Sequence, residues 1–238
     1  MFRFVMCVLC ATAFAMPAAA QSAKPSAKET PDKLSGGPRP QISARVPPTI
    51  SFRSKYAPGT ILIDTKRRRL LYVRSRSRAY LYPITVGRLG FQWTGTKRIS
   101  AKRNWPDWRP PAKMRERKPN LPKLMTGGLY NPLGAKALYL GSSLYRIHGT
   151  NNAKSIGQAA SSGCFRMHNT HVAHLAKIAK VGTKVVVMNA LPSRLARSFA
   201  KQPDQQITST QRRRSEPRRR AAPRKRSLAW RRAILGLN

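Results

Sequence analysis

The sequence predicts a mainly β domain, a sandwich or a strongly bent sheet with one main helix, and three observations carry that expectation. Short runs of β-branched and aromatic residues recur between polar turns from Thr60 to Met188. A single segment, opening at Asn169, repeats its apolar residues at helical spacing. The flanks supply little core, because the chain before this region is rich in Pro, Ser, Lys and Gly and the chain after it is rich in Arg.

Residues 1–20 read as a secretory signal: Arg3, an apolar run from Phe4 to Ala15, then Ala18, Ala19 and Ala20 before Gln21. The run is too short to span a hydrocarbon core, and Leu9 is too bulky to precede a lipoprotein cysteine at Cys10, so cleavage is expected after Ala20. Residues 21–56, with Gly36-Gly37-Pro38 and Pro47-Pro48, read as a flexible linker. Residues 57–190 suffice for one domain with one ordinary core. There Thr60 to Asp64 and Leu70 to Val73 suggest a hairpin, and Tyr80 to Val86, Gly95 to Ser100, Ala137 to Leu140 and Tyr145 to His148 continue in the same style. The helix is expected to be capped by Asn169, faced by Val172, Leu175, Ile178 and Ala179, and ended by Gly182, with a strand from Thr183 to Met188. Arg103 to Asn131 has no regular period and reads as a lid or binding loop, whose Trp105 and Trp108 either line a groove or pin the loop to the core. Residues 191–238, with Arg212-Arg213-Arg214, Arg218-Arg219-Arg220 and Arg224-Lys225-Arg226, read as a disordered basic tail. Its end, Leu228 to Leu237, is either a short amphipathic helix for an anionic surface or merely solubilising.

The net charge of +40, from 47 Lys plus Arg against 7 Asp plus Glu, points to polyanionic partners. The signal directs that expectation to the periplasm or cell envelope and away from nucleic acid. Cleavage also removes Cys7 and Cys10, leaving Cys164 as a lone thiol, either buried and inert or kept reduced for chemistry.

The stretch Ile147-His148-Gly149-Thr150, followed by Ser161-Ser162-Gly163-Cys164-Phe165-Arg166, carries the chemistry. A thiol becomes a strong nucleophile as the thiolate, which an imidazole can generate. His148 ends a predicted strand and Cys164 ends a glycine-containing loop, so the chain can fold back and join them. The amides of Gly163 and Cys164 are candidates to face an oxyanion. Asp64, Asp107 and Glu116 are the acids of the domain, and none is near these segments, so a backbone carbonyl is the candidate partner for the imidazole. The same scarcity excludes a paired-carboxylate glycosidase. His168, His171 and His174 are spaced by three and make no compact ligand set, so they are expected as helix-surface residues with no metal. No phosphate loop or dinucleotide fingerprint is present, and no cofactor is expected.

At these residues the sequence resembles the YkuD-type L,D-transpeptidase family, whose signature falls on His148-Gly149 and Ser161-Ser162-Gly163-Cys164. The likeness extends to Trp105 to Pro122, Gly128, Asn131 to Gly134 and Val181 to Val185. Ser162 and Arg166 stand where histidine and asparagine are common, as in a large envelope-associated branch of the family. The resemblance implies a mixed β-sandwich that cross-links peptidoglycan tetrapeptide stems, with Cys164 as nucleophile and His148 as base. It also implies an oxyanion site at Gly163 and Cys164, and substrate placement by Ser161 and Arg166, whose guanidinium can hold a carboxylate bidentately. Water or a protein lysine would make the acceptor that of a carboxypeptidase or an anchoring enzyme. A non-catalytic wall-binding module is the rival of another class.

Overall fold

The computed structural model describes residues 32–197 and 199, and each apolar run singled out above between Thr60 and Met188 forms a strand in it. In chain order the first strands are β1 (Lys33–Leu34), β2 (Thr49–Ser51), β3 (Ile61–Asp64), β4 (Arg69–Val73), β5 (Arg78–Pro83), β6 (Val86–Gly87) and β7 (Gly95–Asn104). Helix α1 (Ala112–Arg117) precedes β8 (Leu124–Met125), β9 (Lys136–Leu140), β10 (Arg146–His148), β11 (Ala159–Ser161) and β12 (Phe165–Arg166). The chain continues through the main helix α2 (Asn169–Ile178), β13 (Lys184–Met188) and a short α3 (Ser193–Ala196). No helix among the described residues is long and apolar enough to cross a membrane.

Nine strands form the principal sheet among the described residues, in the order β12-β10-β9-β7-β13-β3-β4-β5-β2. Strand β7 explains how so wide a sheet encloses a core. Its residues from Gly95 to Arg98 pair with β13, those from Ile99 to Asn104 pair with β9, and the register shifts between Ile99 and Ala101. Such an irregularity bends a strand and raises its twist, so β7 belongs to both halves and folds one over the other. Residues from both halves, such as Ile61, Ile63 and Leu70 with Leu138, Ile147 and Phe165, meet in one apolar cluster that Val172 and Leu175 of α2 complete.

Strands β3 and β4 read as unbroken apolar runs because both of their faces are covered. Ile61, Ile63 and Leu70 enter the cluster just described, whereas Leu62, Leu71 and Val73 enter a second one behind the sheet. That rear cluster corrects both domain boundaries. Residues 21–56 are not linker throughout: β2 is an edge strand paired with β5, and Ile50 and Phe52 are buried behind the sheet. Few apolar residues are present there, but these two alternate correctly, and prolines are tolerated beside an edge strand. Further back, β1 pairs with β8. The basic tail does not begin at Leu191 either. Leu191, Leu195, Ala196 and Phe199 recur at helical spacing and close the rear cluster. The signal, the start of the linker and the arginine clusters lie outside the described residues.

Helix α2 differs from expectation in three respects. It ends at Ile178, with Ala179 as an extended C-cap, and not at Gly182. His168, without a side-chain cap bond, occupies the N-cap, and Asn169 is used elsewhere. His171 and His174 are not surface residues, at 2 % and 7 % exposure. The sheet under them offers Tyr80 and Tyr82, and the Tyr82 hydroxyl lies 2.9 Å from His174 Nδ1. Burial first, then the charges of His168 and Arg45, push His171 down to about 3. A histidine depressed in the fold contributes stability fully above its unfolded value near 6.5, and that contribution is lost as pH falls towards 3. We expect urea midpoints to drop between pH 6.5 and 4.5, with His171 contributing about 1.4 kcal/mol per unit. His171→Leu should flatten that slope; an unchanged slope would remove His171 as its cause.

Candidate active site

Strands β10 and β12 run parallel, with Ile147 opposite Phe165 and His148 opposite Arg166. Side chains alternate along a strand, and Ile147 and Phe165 both point into the core. Arg146 and His148, together with Cys164 and Arg166, therefore face the other way. All four line one cleft of about 550 Å³. Its lining also includes Arg88 and Phe91, residues of α1, and Lys118 and Leu121.

His148 is 4 % exposed, and its Nδ1 lies 2.7 Å from the carbonyl oxygen of its neighbour Gly149. With Nδ1–H donating there, Nε2 keeps its lone pair. Burial, followed by the charge of Arg166, lowers His148 to about 3. The strand end is held by Asn169, whose Oδ1 accepts from Ala135 N at 3.0 Å and Thr150 N at 3.1 Å while its Nδ2 donates to Thr150 O. Glycine at 149 follows from this clamp, since a Cβ there would lie 2.1 Å from Asn169 Oδ1.

Cys164 is half-buried and its thiol donates to Leu144 O at 3.5 Å. Burial raises its pKa; Arg146, through charge and through backbone and side-chain hydrogen bonds, and then Arg166 draw it back down. The loop before it is tightly fixed. Ser161 Oγ donates to Cys164 O at 2.6 Å and accepts from Gly163 N at 3.1 Å. Trp93 Nε1 donates to Gly163 O at 2.9 Å while its ring stacks on Tyr145 with centroids 4.4 Å apart. Gly163 has φ +102°, and a Cβ on it would meet Tyr145 at 2.7 Å.

The structure thus gathers Cys164, His148, Ser161, Ser162 and Arg166 in the cleft, with Gly149 and Gly163 next to His148 and Cys164 in the chain and outside the lining. One expectation needs correction. The Gly163 amide does not face the cleft as an open donor, because Ser161 Oγ takes it; the Cys164 amide has no partner among the described residues. Ser162 Oγ accepts from Arg88 Nη1 at 3.4 Å. Trp108 lines the cleft and Trp105 does not, while the backbone of each is pinned, Trp108 to Met125 and Trp105 to Ala135 O.

Sequence reasoning missed Arg146, Trp93 and the clamp by Asn169. Arg146 had a usable signal, for it stands two positions before His148 and so shares its face of the strand. Nothing around Trp93 announced a contact with residue 163.

The YkuD family model, the L,D-transpeptidase catalytic domain, matches residues 58–187. The probable L,D-transpeptidase YbiS of Escherichia coli K12 is 35% identical over 135 residues, which are 53% of this chain and 43% of that protein. The chain therefore spans less than half of that relative's length. A solved catalytic domain of an E. faecium L,D-transpeptidase acylated by ertapenem is 16% identical, with TM-score 0.43 over 54% of this chain and 95% of that one. A crystallised chain from Brucella melitensis, described as a probable carnitine operon oxidoreductase, is 44% identical over 60% of this chain and 92% of its own, with TM-score 0.41. At such TM-scores these two superpositions add nothing to the fold described above. The family match covers more than half of the sequence and includes both His148 and Cys164, so the chain belongs to the YkuD family of L,D-transpeptidase catalytic domains.

Proposed function

We propose that this protein is an L,D-transpeptidase that cross-links peptidoglycan in the cell envelope, with Cys164 as nucleophile and His148 as base. The observation that carries the reading is the entry of both side chains into one cleft, His148 from the end of β10 and Cys164 from the residue before its parallel neighbour β12, with His148 Nδ1 already committed to a carbonyl. Nε2 is then the nitrogen left to take the thiol proton.

In this mechanism the Cys164 thiolate attacks the carbonyl that joins the L-centre of a diamino acid to the terminal D-alanine of a tetrapeptide stem. The oxyanion faces the unpartnered Cys164 amide, while Ser161, through Gly163 N and Cys164 O, holds that amide in place. His148 returns the proton to the departing D-alanine amine, and a thioester remains. The side-chain amine of a second stem then displaces the thiolate, closing a 3→3 cross-link. Arg166, on the strand next to His148, is placed to hold a donor carboxylate. Residues 1–20 serve as the export signal, and the basic tail holds the protein at the anionic envelope.

The test is mass spectrometry of tetrapeptide muropeptides incubated with the reduced protein. D-Alanine loss with 3→3 dimers supports the proposal. Loss without dimers indicates a carboxypeptidase or a protein acceptor, and no loss favours a wall-binding module. The electrostatics also set a pH profile. His148 is neutral across the working range, because it is pushed to about 3, while burial raises the Cys164 thiol. Single-turnover acylation should climb from pH 6 into the alkaline range as the thiol ionises, with no separate imidazole inflection between pH 5 and 7. An acidic limb near 6.5 that disappears in a His148 variant would contradict the neutral imidazole.

A further inference from the structure

Asn131 is fully buried, and its side chain hydrogen-bonds to backbone on two sides. Its Nδ2 donates to Pro106 O at 3.1 Å, and also to Met125 O at 3.1 Å and Thr126 O at 2.9 Å. A side-chain amide has only two hydrogens to give, so three carbonyls share them. These carbonyls stand where the segment from Arg103 to Asn131 narrows, because Trp108 and Met125 donate to one another's carbonyls at 2.8 Å. The stretch between them carries α1, whose Lys113, Met114 and Arg117 line the cleft. Asn131 therefore grips the neck of the excursion that supplies this part of the lining.

The same residue also shapes the turn beside the imidazole. Asn131 Oδ1 accepts from Leu133 N at 2.8 Å, and its main-chain carbonyl accepts from Gly134 N at 3.0 Å. That turn is packed against the peptide that follows His148. Gly134 has φ +64°, and a Cβ on it would lie 2.3 Å from Thr150 N and 2.6 Å from the carbonyl carbon of Gly149. The oxygen of that carbonyl is the one 2.7 Å from His148 Nδ1. A shift of the neck is thus passed, through one side chain and one close-packed turn, to the acceptor that orients the imidazole. Misplacing a catalytic group by about 1 Å can cost about 10²-fold in rate. We propose that Asn131 is a positioning residue that couples the place of the α1-bearing excursion to His148, so that ordering the cleft lining also orders the base. This inference rests on the transpeptidase reading for the role of His148.

Asn131→Ser in the full chain tests the coupling, because a serine hydroxyl can still accept from the amide two residues on but is too short to reach the neck. With a tetrapeptide donor, D-alanine release should fall about tenfold in kcat while KM stays within about twofold. The imidazole nitrogen NMR signals of His148, assigned by their loss in His148→Gln, should change from a single Nδ1–H tautomer to a mixture. A raised KM at native kcat would overturn the proposal, since Asn131 would then only shape the lining; native kinetics with an unchanged spectrum would overturn it too. If thermal unfolding shows that Asn131→Ser does not fold, Asp107→Ala takes its place, for that exposed carboxylate accepts from Gly127 N across the same neck at 2.9 Å. There a loss of kcat at constant KM supports the coupling, and native kcat overturns it. If the native chain releases no D-alanine from the donor, the transpeptidase reading fails instead. The NMR signals then decide the coupling alone: mixed tautomers in the variant support it, and an unchanged tautomer overturns it.

Discussion

Replacing Cys164 by serine is expected to lower acyl-enzyme formation by about a thousandfold or more, although the side chains are nearly isosteric. The reason lies in three groups that line the cleft with residue 164: His148, Arg146 and Arg166. His148 is held to about 3 by burial and the neighbouring guanidiniums, which makes it too weak a base to deprotonate a hydroxyl. A thiol needs less help, because Arg146 and Arg166 stabilise the thiolate directly. His148→Gln should cost about 10²–10⁴-fold near neutrality, and less at alkaline pH, where the thiol ionises without assistance. Intact-mass detection of the thioester and release of D-alanine measure both variants. A serine variant within tenfold of the native rate would remove Cys164 from the nucleophile's role.

The second large effect concerns stability. A chain ending at residue 190 should lose most of its cooperative fold, whereas one ending at 199 should melt within a few degrees of the full chain. The shorter chain strips Leu191, Leu195, Ala196 and Phe199 from the rear cluster. Each large apolar side chain is worth about 1.5–3 kcal/mol when buried, against about 5–15 kcal/mol for a whole domain. It also deprives the fully buried carboxylate of Asp64 of one donor, Leu191 N at 3.0 Å, leaving the two donors of Arg67. Thermal unfolding of the two truncations decides the matter. Identical transitions would show that the segment from 191 to 199 contributes no net stability.

The β-rich fold was legible in the sequence because its strands are short, β-branched and separated by turn residues, as at Thr60 to Val73. The domain boundaries were less so, because composition averages over a segment. Ile50 and Phe52 are two apolar residues in a Pro-rich stretch, and they matter only because the rear of β3 and β4 awaits a cover. The misplaced cap at Asn169 has a similar cause. Asparagine suits an N-cap locally, but Ala135 and Thr150, which take its side chain instead, are 34 and 19 residues away. The shared cleft of Cys164 and His148 and the carbonyl partner of the imidazole could be anticipated, because strand periodicity and the scarcity of acids act locally. The engagement of the Gly163 amide could not, since it depends on where the Ser161 hydroxyl turns. The buried histidines of α2 were hidden for a related reason: polar residues read as surface unless the tyrosines that receive them are known.

The position of β13 has a consequence for how the chain comes into being. This last strand of the domain lies between β7 and β3, parallel to a partner whose Ile61 is matched with Val185. Contacts so distant in sequence are slow to form and cannot form before the later segment exists. The centre of the sheet therefore stays open until synthesis has passed residue 188. For a chain exported by the signal proposed above, that delay keeps the polypeptide threadable through a narrow translocation pore, and closure of the sheet waits for the far side.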